Sequence, residues 1–289
     1  MHGGQEERFF HGYYGHYCYL PMYAYCGEYP LSVQLRPSNI DGAFGAKELF
    51  ERIVSKLRRS WPTTHIILRA DSGFCRDELL TWCEEADGVD YVVGVAKNSR
   101  LKKALARQMT RAHREHLQTG EAVRYFSDLR YQTVKTWTRP RRVVGKAEHL
   151  AKGENPRFVV TSLLAREFEK RYLYEELYCA RGEMENRIKE QQLDLFGNRA
   201  SCHTFRGNAI RLWFSMAAHW LVVTVRTVAL SGTALESAQA ETLRNKLFKI
   251  GAVVTVSVRR LYVQLSSAFP RKELLAAALS RLRAPMVAM

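Results

Sequence analysis

The sequence predicts an α/β fold, a mixed sheet flanked by helices with a mostly helical C-terminal part. Three observations predict it. Residues 11–36 read as a hairpin, because the Tyr-crowded, non-helical stretch HGYYGHYCYLPMYAYC and the short run LSVQLR flank a turn from Gly27 to Pro30. Two apolar runs, HIILRA at His65 to Ala70 and YVVGVA at Tyr91 to Ala96, read as strands buried on both faces. With a helix between them they form a parallel pair with a right-handed crossover. Finally, Leu173, Leu177, Ala180, Met184, Ile188 and Leu195 fall in one stripe when residues turn by roughly 100° each, which predicts an amphipathic helix from about Leu173 to Leu195.

The elements follow in order. His11 to Cys26 is expected as one long strand bent at Pro21, and Leu31 to Arg36 as its partner, ending at Pro37. Asp41 to Ser60 is expected as a helix packing Phe44, Leu49, Ile53 and Leu57, stopped by Pro62. Asp71 stands at the carboxyl end of a parallel strand, the place where open α/β sheets build sites. Ser72 and Gly73 turn the chain, and Asp77 is a candidate N-cap for a helix to Ala86. In residues 119–164, Ala122 to Phe126, Tyr131 to Thr138, Arg141 to Val144 and Arg157 to Leu163 read as strands, the last open to membership of the main sheet. Thr204 to Leu230 and Ala234 to Ile250 read as helices, Val253 to Leu265 as a strand or hairpin, and Pro270 to Arg283 as a last helix. A hairpin followed by parallel strands and helices is the ribonuclease H-like plan, and without linkers or repeats it predicts one compact body.

The charge points to a polyanion. Among 289 residues, 44 Lys and Arg face 29 Asp and Glu, a net charge of +15 with a pI near 9.7. The N-terminus has no apolar run, no lipidation motif or basic amphipathic helix stands out, and His219 and Arg226 interrupt the apolar stretch Leu212 to Leu230, so a buried helix is expected there rather than a membrane span. Six cysteines without a C-x-x-C pair argue against zinc. Lys97 to Arg114 holds seven cations and no acid, and Lys103, Arg107, Arg111 and Arg114 recur at helical spacing. Solvated helix faces usually intersperse acids, so this face and Lys97 are candidates for phosphate contact, with Arg139, Arg141 and Arg142 as a second cluster.

Two carboxylates draw attention. The helical spacing that makes the apolar stripe puts Tyr178, Arg181, Glu185, Lys189 and Gln192 on a second one, leaving Glu183 pointing roughly opposite, into solvent. Glu185 is either half of an i,i+4 pair with Lys189 or a functional acid flanked by cations. Asp71 is either a turn-forming residue that bonds its own backbone or a ligand at the sheet's functional end.

Tyr178, then two residues, Arg181, then three, Glu185 resembles the Tyr-x2-Arg-x3-Glu signature of DDE transposases from bacterial insertion sequences. The blocks HGYYGHYCYLPMY, LRPSNIDG, LRADSGFCR, GENPRFVVTSL, YCARGEMENRIKEQQLDLF and KIGAVVTVSVRR, in that order along nearly the whole chain, are similar to the group 1 branch of that family. The signature usually continues with a Lys seven residues after the Glu, whereas this chain has Gln192 there and Lys189 three residues earlier.

The resemblance implies a ribonuclease H-like core at 1–118 and 157–230, a β-rich insert at 119–156 before the catalytic-Glu helix, and a C-terminal extension at 231–289. It implies cleavage and strand transfer of DNA at transposon ends, with Asp71 and Glu185 as catalytic acids and ligands of a two-metal Mg²⁺ or Mn²⁺ site. Tyr178, Arg181, Lys189 and Gln192 would support them. The family's first acid lies on a central strand preceding the HGYY-like block, so the resemblance implies that this chain lacks that strand and that Asp at its N-terminus and, as it stands, is expected to be inactive in cleavage. It further implies DNA as partner, a possible homodimer, no small-molecule cofactor and no membrane, and a cytoplasmic, nucleoid-associated protein. The alternative is a non-catalytic DNA-binding remnant that uses the same basic surfaces.

Overall fold

A computed structural model describes residues 4–283. Instead of the single body expected, the chain forms two compact units, Ile40–Glu183 and Met1–Asn39 with Met184–Met289. The expected insert at 119–156 lies within the first and the expected extension at 231–289 within the second.

The second unit starts with two hairpins. β1 (Phe9–His11) pairs β2 (His16–Cys18), and β3 (Met22–Cys26) pairs β4 (Tyr29–Gln34), all antiparallel. The long strand expected at His11 to Cys26 is therefore broken. Gly15 turns the chain at φ 66°, a left-handed conformation that residues with a Cβ resist, and Pro21 stands in the gap before β3.

The first unit carries the main sheet. α1 (Ala46–Ser60) buries Leu49, Ile53 and Val54; it starts five residues later than expected, leaving Phe44 exposed in the preceding turn. β5 (Ile66–Ala70), α2 (Asp77–Glu85) and β6 (Val89–Val95) make the parallel crossover unit, with Leu68 opposite Tyr91. After α3 (Ser99–Thr119) come β7 (Val123–Tyr131), β8 (Arg141–Leu150), the two-residue β9 (Gly153–Glu154) and β10 (Arg157–Thr161). The sheet order is β5-β6-β10-β8-β7, with β9 on β8, and every pairing but β5 with β6 is antiparallel. The expected β-rich segment thus continues the main sheet, and β10 belongs to it. The strand expected at Tyr131 to Thr138 is a loop, folded around buried Trp137, whose N–H donates to Thr133 Oγ1 at 2.7 Å. Among the described residues β5 is an edge strand, which explains why it is half-buried rather than covered on both faces.

The expected motif helix is a continuous helical run, 170–194, whose turns change pitch: π-helical at Leu173–Tyr178, 3₁₀ at Cys179–Arg181, α-helical at Gly182–Lys189 and π-helical again at Glu190–Asp194. Leu173 and Tyr174 pack with Val92, Val144, Val159 and Leu163 of the first unit. In the second unit a run from Phe205 to Ala229, capped by Thr204 accepting from Gly207 N–H at 3.2 Å, packs with Leu235, Leu243 and Leu247. It is long and apolar enough to cross a membrane by length and composition, yet it buries His219 and Arg226. The next helical stretch begins at Ala240, not 234, because residues 231–239 turn on Thr233 and Glu236, whose side chains bond the backbone. β11 (Ala252–Val256) and β12 (Leu261–Leu265) form the expected hairpin, and a helix at Lys272–Arg283 follows.

Candidate functional site

The site in the first unit is built on the ends of β5 and β6. β5 ends at Ala70, and Asp71 starts a single 3₁₀ turn, its Oδ1 accepting from Gly73 N–H at 2.8 Å. The turn-forming role weighed for this residue is real, and it is compatible with the other. One oxygen is held by the backbone, which orients an exposed carboxylate at the carboxyl edge of the sheet.

Beside it runs Gly94 of β6, a residue the sequence reading passed over. A Cβ added there would lie 2.6 Å from the Tyr178 hydroxyl oxygen, 2.9 Å from Ser72 N and 3.3 Å from the Asp71 carbonyl carbon. Only a residue without a side chain lets the turn after β5 and the motif tyrosine close over this strand. A lone glycine inside an apolar strand marks such an approach, so YVVGVA did carry the signal. Arg69 of β5, also missed, donates from Nη1 to the Leu177 carbonyl at 3.1 Å and so ties the motif helix to the strand that carries Asp71.

Tyr178 is half-buried, packed on Tyr174 with centroids 5.5 Å apart, and the Arg181 guanidinium lies over its ring at 5.4 Å. Burial raises the phenol's pKa above its ordinary value; the Arg181 charge opposes that rise, and the Asp71 carboxylate adds to it. Tyr178 therefore stays a neutral hydroxyl between an acid and a guanidinium. Three of the expected residues, Asp71, Tyr178 and Arg181, are brought together.

In the second unit, Glu185 lies exposed on the α-helical part of the motif run, one turn beyond Arg181, and Glu183 is exposed too. Lys189 is exposed. Gln192, at the position where the signature has Lys, donates to the Tyr23 hydroxyl at 3.3 Å, which makes it a packing contact with β3. Its neighbours Glu190 and Gln191 are buried: Gln191 falls on the regular apolar stripe, three residues after Ile188, and Glu190, which that stripe left outside the core, turns inward where the run becomes π-helical at 190–194.

The cations divide. On α3, Leu101, Leu105, Met109 and Ala112 are buried, and Lys103, Arg107 and Arg114 project from the opposite face into solvent, as does Lys97 ahead of the helix. Arg111 is on that face but stacks over Tyr125 at 4.2 Å. The second cluster is corrected. Arg141 is 4% exposed, bonded to Asp77 at 2.5 Å and Glu84 at 2.7 Å. Arg142 bonds Asp128 at 2.6 Å and the carbonyls of Leu163 and Phe168, both at 2.9 Å. Arg139 pairs with Glu84 at 2.9 Å. Arg141 and Arg142 hold the sheet to its surroundings and are not open to phosphate, whereas Arg139 stays exposed on the surface. Asp77 is likewise no N-cap, since that position belongs to Arg76. Although burial opposes it, Arg141 with the Thr138 N–H holds the Asp77 carboxyl below the usual carboxylate range.

Carboxylate oxygens are the ligands that hard divalent cations take, and the exposed, pre-oriented Asp71 carboxylate fits that role. Among the described residues, no group of three or more His, Cys, Asp or Glu is assembled to hold a metal ion. A family model, Transposase DDE domain group 1, matches residues 1–286. No curated protein matches the chain.

Proposed function

Because the chain belongs to the transposase DDE group 1 family, we propose that it acts in DNA transposition by cleaving and joining DNA at the ends of an insertion sequence. The observation that carries this reading is the meeting of Asp71 and Tyr178 over Gly94, with Arg181 on the Tyr178 ring, in a chain with the Tyr-x2-Arg-x3-Glu spacing. Asp71 would be a ligand for a divalent cation, Mg²⁺ or Mn²⁺, and Glu185 would likewise offer a carboxylate to one. Bound there, the cation would supply the positive charge that activates the attacking oxygen and stabilises the leaving one.

The chain's own residues have separate tasks. The Gly73 N–H fixes the azimuth of the Asp71 carboxylate. Arg181, held over the Tyr178 ring, places a permanent positive charge beside that tyrosine, where it would neutralise a phosphate oxygen. Tyr178, kept protonated, donates a hydrogen bond without adding charge. The α3 face of Lys103, Arg107 and Arg114 binds the duplex backbone irrespective of sequence. The protein would work in the cytoplasm, at the nucleoid, with DNA as its partner.

The test is nicking of supercoiled plasmid bearing the element's ends in Mn²⁺. Metal-dependent nicking that Asp71→Asn removes supports the reading. DNA binding without any nicking would favour the second reading, a DNA-binding remnant, to which the uncovered α3 cations lend support.

A further inference from the structure

Two of the acids on the motif helix, Glu185 and Glu190, sit in opposite surroundings. Glu190 follows Glu185 by five positions, which at about 100° per residue puts them about 140° apart around the axis. Glu185 is exposed, whereas Glu190 is buried, 5% exposed, against the Phe205–Ala229 run. There Arg226, itself 3% exposed, grips both Glu190 oxygens, with Nη2 on Oε1 and Nη1 on Oε2 at 3.3 Å. The Ala240 N–H donates to Oε1 at 2.7 Å, and Arg226 Nε donates to the Ala238 carbonyl at 2.7 Å. Burial opposes ionisation of Glu190, but the Arg226 guanidinium overcomes it and holds the carboxyl below the usual range.

The next residue is as firmly held. Gln191 is fully buried, accepts from the Tyr25 hydroxyl of β3, and donates to Ser215 Oγ at 3.0 Å. Its carbonyl accepts from Gly197 N–H at 2.9 Å, and a Cβ at Gly197 would come within 2.8 Å of that oxygen. The π-helical turn lets consecutive residues 190 and 191 both face inward, where an unbroken α-helix would turn one away. Apolar packing alone fixes a helix's rotation loosely, since neighbouring rotations bury similar area. A two-pronged charged hydrogen bond does not slide in this way, because a rotated helix would leave a buried charge unpaired.

We propose that the Arg226–Glu190 pair, with Gln191, is the positioning device for Glu185: it sets the rotation of the motif helix and so the direction in which the exposed carboxylate points. Glu190 and Arg226 are positioning residues that act through the helix, and the assignment of a catalytic role to Glu185 rests on the function proposed above.

The experiment measures orientation independently of catalysis. Spin labels on p-acetylphenylalanine at positions 185 and 210, within one unit, give a distance distribution by double electron–electron resonance. The native pair gives a single narrow peak. Replacing both partners by Met (Glu190→Met with Arg226→Met) removes the grip without leaving a lone buried charge, and Arg226→Lys keeps the charge but loses the fork. The distribution broadens or shifts in both variants while circular dichroism retains native helicity, and in the unlabelled chain Mn²⁺-dependent nicking falls at least tenfold. An unchanged distribution in Arg226→Lys, or in the double variant, overturns the proposal. If Glu185→Gln nicks like the native chain, it is the catalytic reading of Glu185 that fails, and the distance measurement still decides the positioning.

Discussion

Gly94 lies so close beneath Tyr178 that a methyl group on residue 94 would stand 2.6 Å from the tyrosine hydroxyl. The hydroxyl could swing aside, but the Ser72 nitrogen at 2.9 Å belongs to the backbone and cannot. Gly94→Ala therefore forces the turn bearing Asp71 off β6. Overpacking of this kind costs about 1–3 kcal/mol. A lowered urea midpoint together with loss of nicking is expected; an unchanged midpoint would contradict the close packing.

Neighbouring acids Glu183 and Glu185 on the motif helix should separate by function. Asp71→Asn and Glu185→Gln preserve shape and remove ligand charge, so metal-dependent cleavage should fall by several orders of magnitude while DNA binding survives. Glu183→Gln should behave as native. Loss of cleavage in Glu183→Gln with retention in Glu185→Gln would refute the assignment.

Cations that looked alike in sequence should part in experiment. Arg141 is buried between Asp77 and Glu84, and removing one partner of such a pair typically costs about 3–5 kcal/mol, so Arg141→Met should lower the melting temperature strongly. Lys103→Glu with Arg107→Glu should leave stability near native and weaken binding to all duplexes alike. For the native chain, engaging roughly six phosphates implies an affinity loss of about a thousandfold between about 50 and 200 mM salt. Anisotropy titrations read both, and undiminished binding by the double variant would remove α3 from the interface.

A pH dependence follows from His219. Its ring is fully buried, Nε2–H donating to the Glu28 backbone carbonyl at 3.2 Å; burial first, then the Arg226 and Arg187 charges, push its pKa below the usual histidine range, with Glu190 opposing them. The folded chain therefore holds His219 neutral where the unfolded chain takes up a proton, near pH about 6.5. Stability should fall as pH drops below that value, until the depressed folded pKa is reached. The depressed Glu190 adds a second loss at lower pH, below the unfolded value of about 4.3, as pH falls through its folded pKa. Urea midpoints between pH 8 and pH 5.5 should decline less in His219→Gln; equal slopes would exclude this residue as the source.

Local geometry was legible in the sequence. The parallel pair β5 and β6, the α3 stripes and the exposed Glu183 follow from periods of two and 3.6 residues, which depend only on backbone geometry. Asp71 was found because strand ends and turns are written in neighbouring residues. What tertiary structure alone decided depends on partners far along the chain. Arg141 reads as a free cation until Asp77 and Glu84, 64 and 57 residues away, close around it. Glu190 reads as a solvated helix residue until Arg226, 36 residues on, draws it inward and a π-helical turn breaks the period that a regular helix would keep. Side-chain charge is a local property, but whether that charge meets water, a phosphate or a buried counter-ion is set by packing between elements, which no local period encodes.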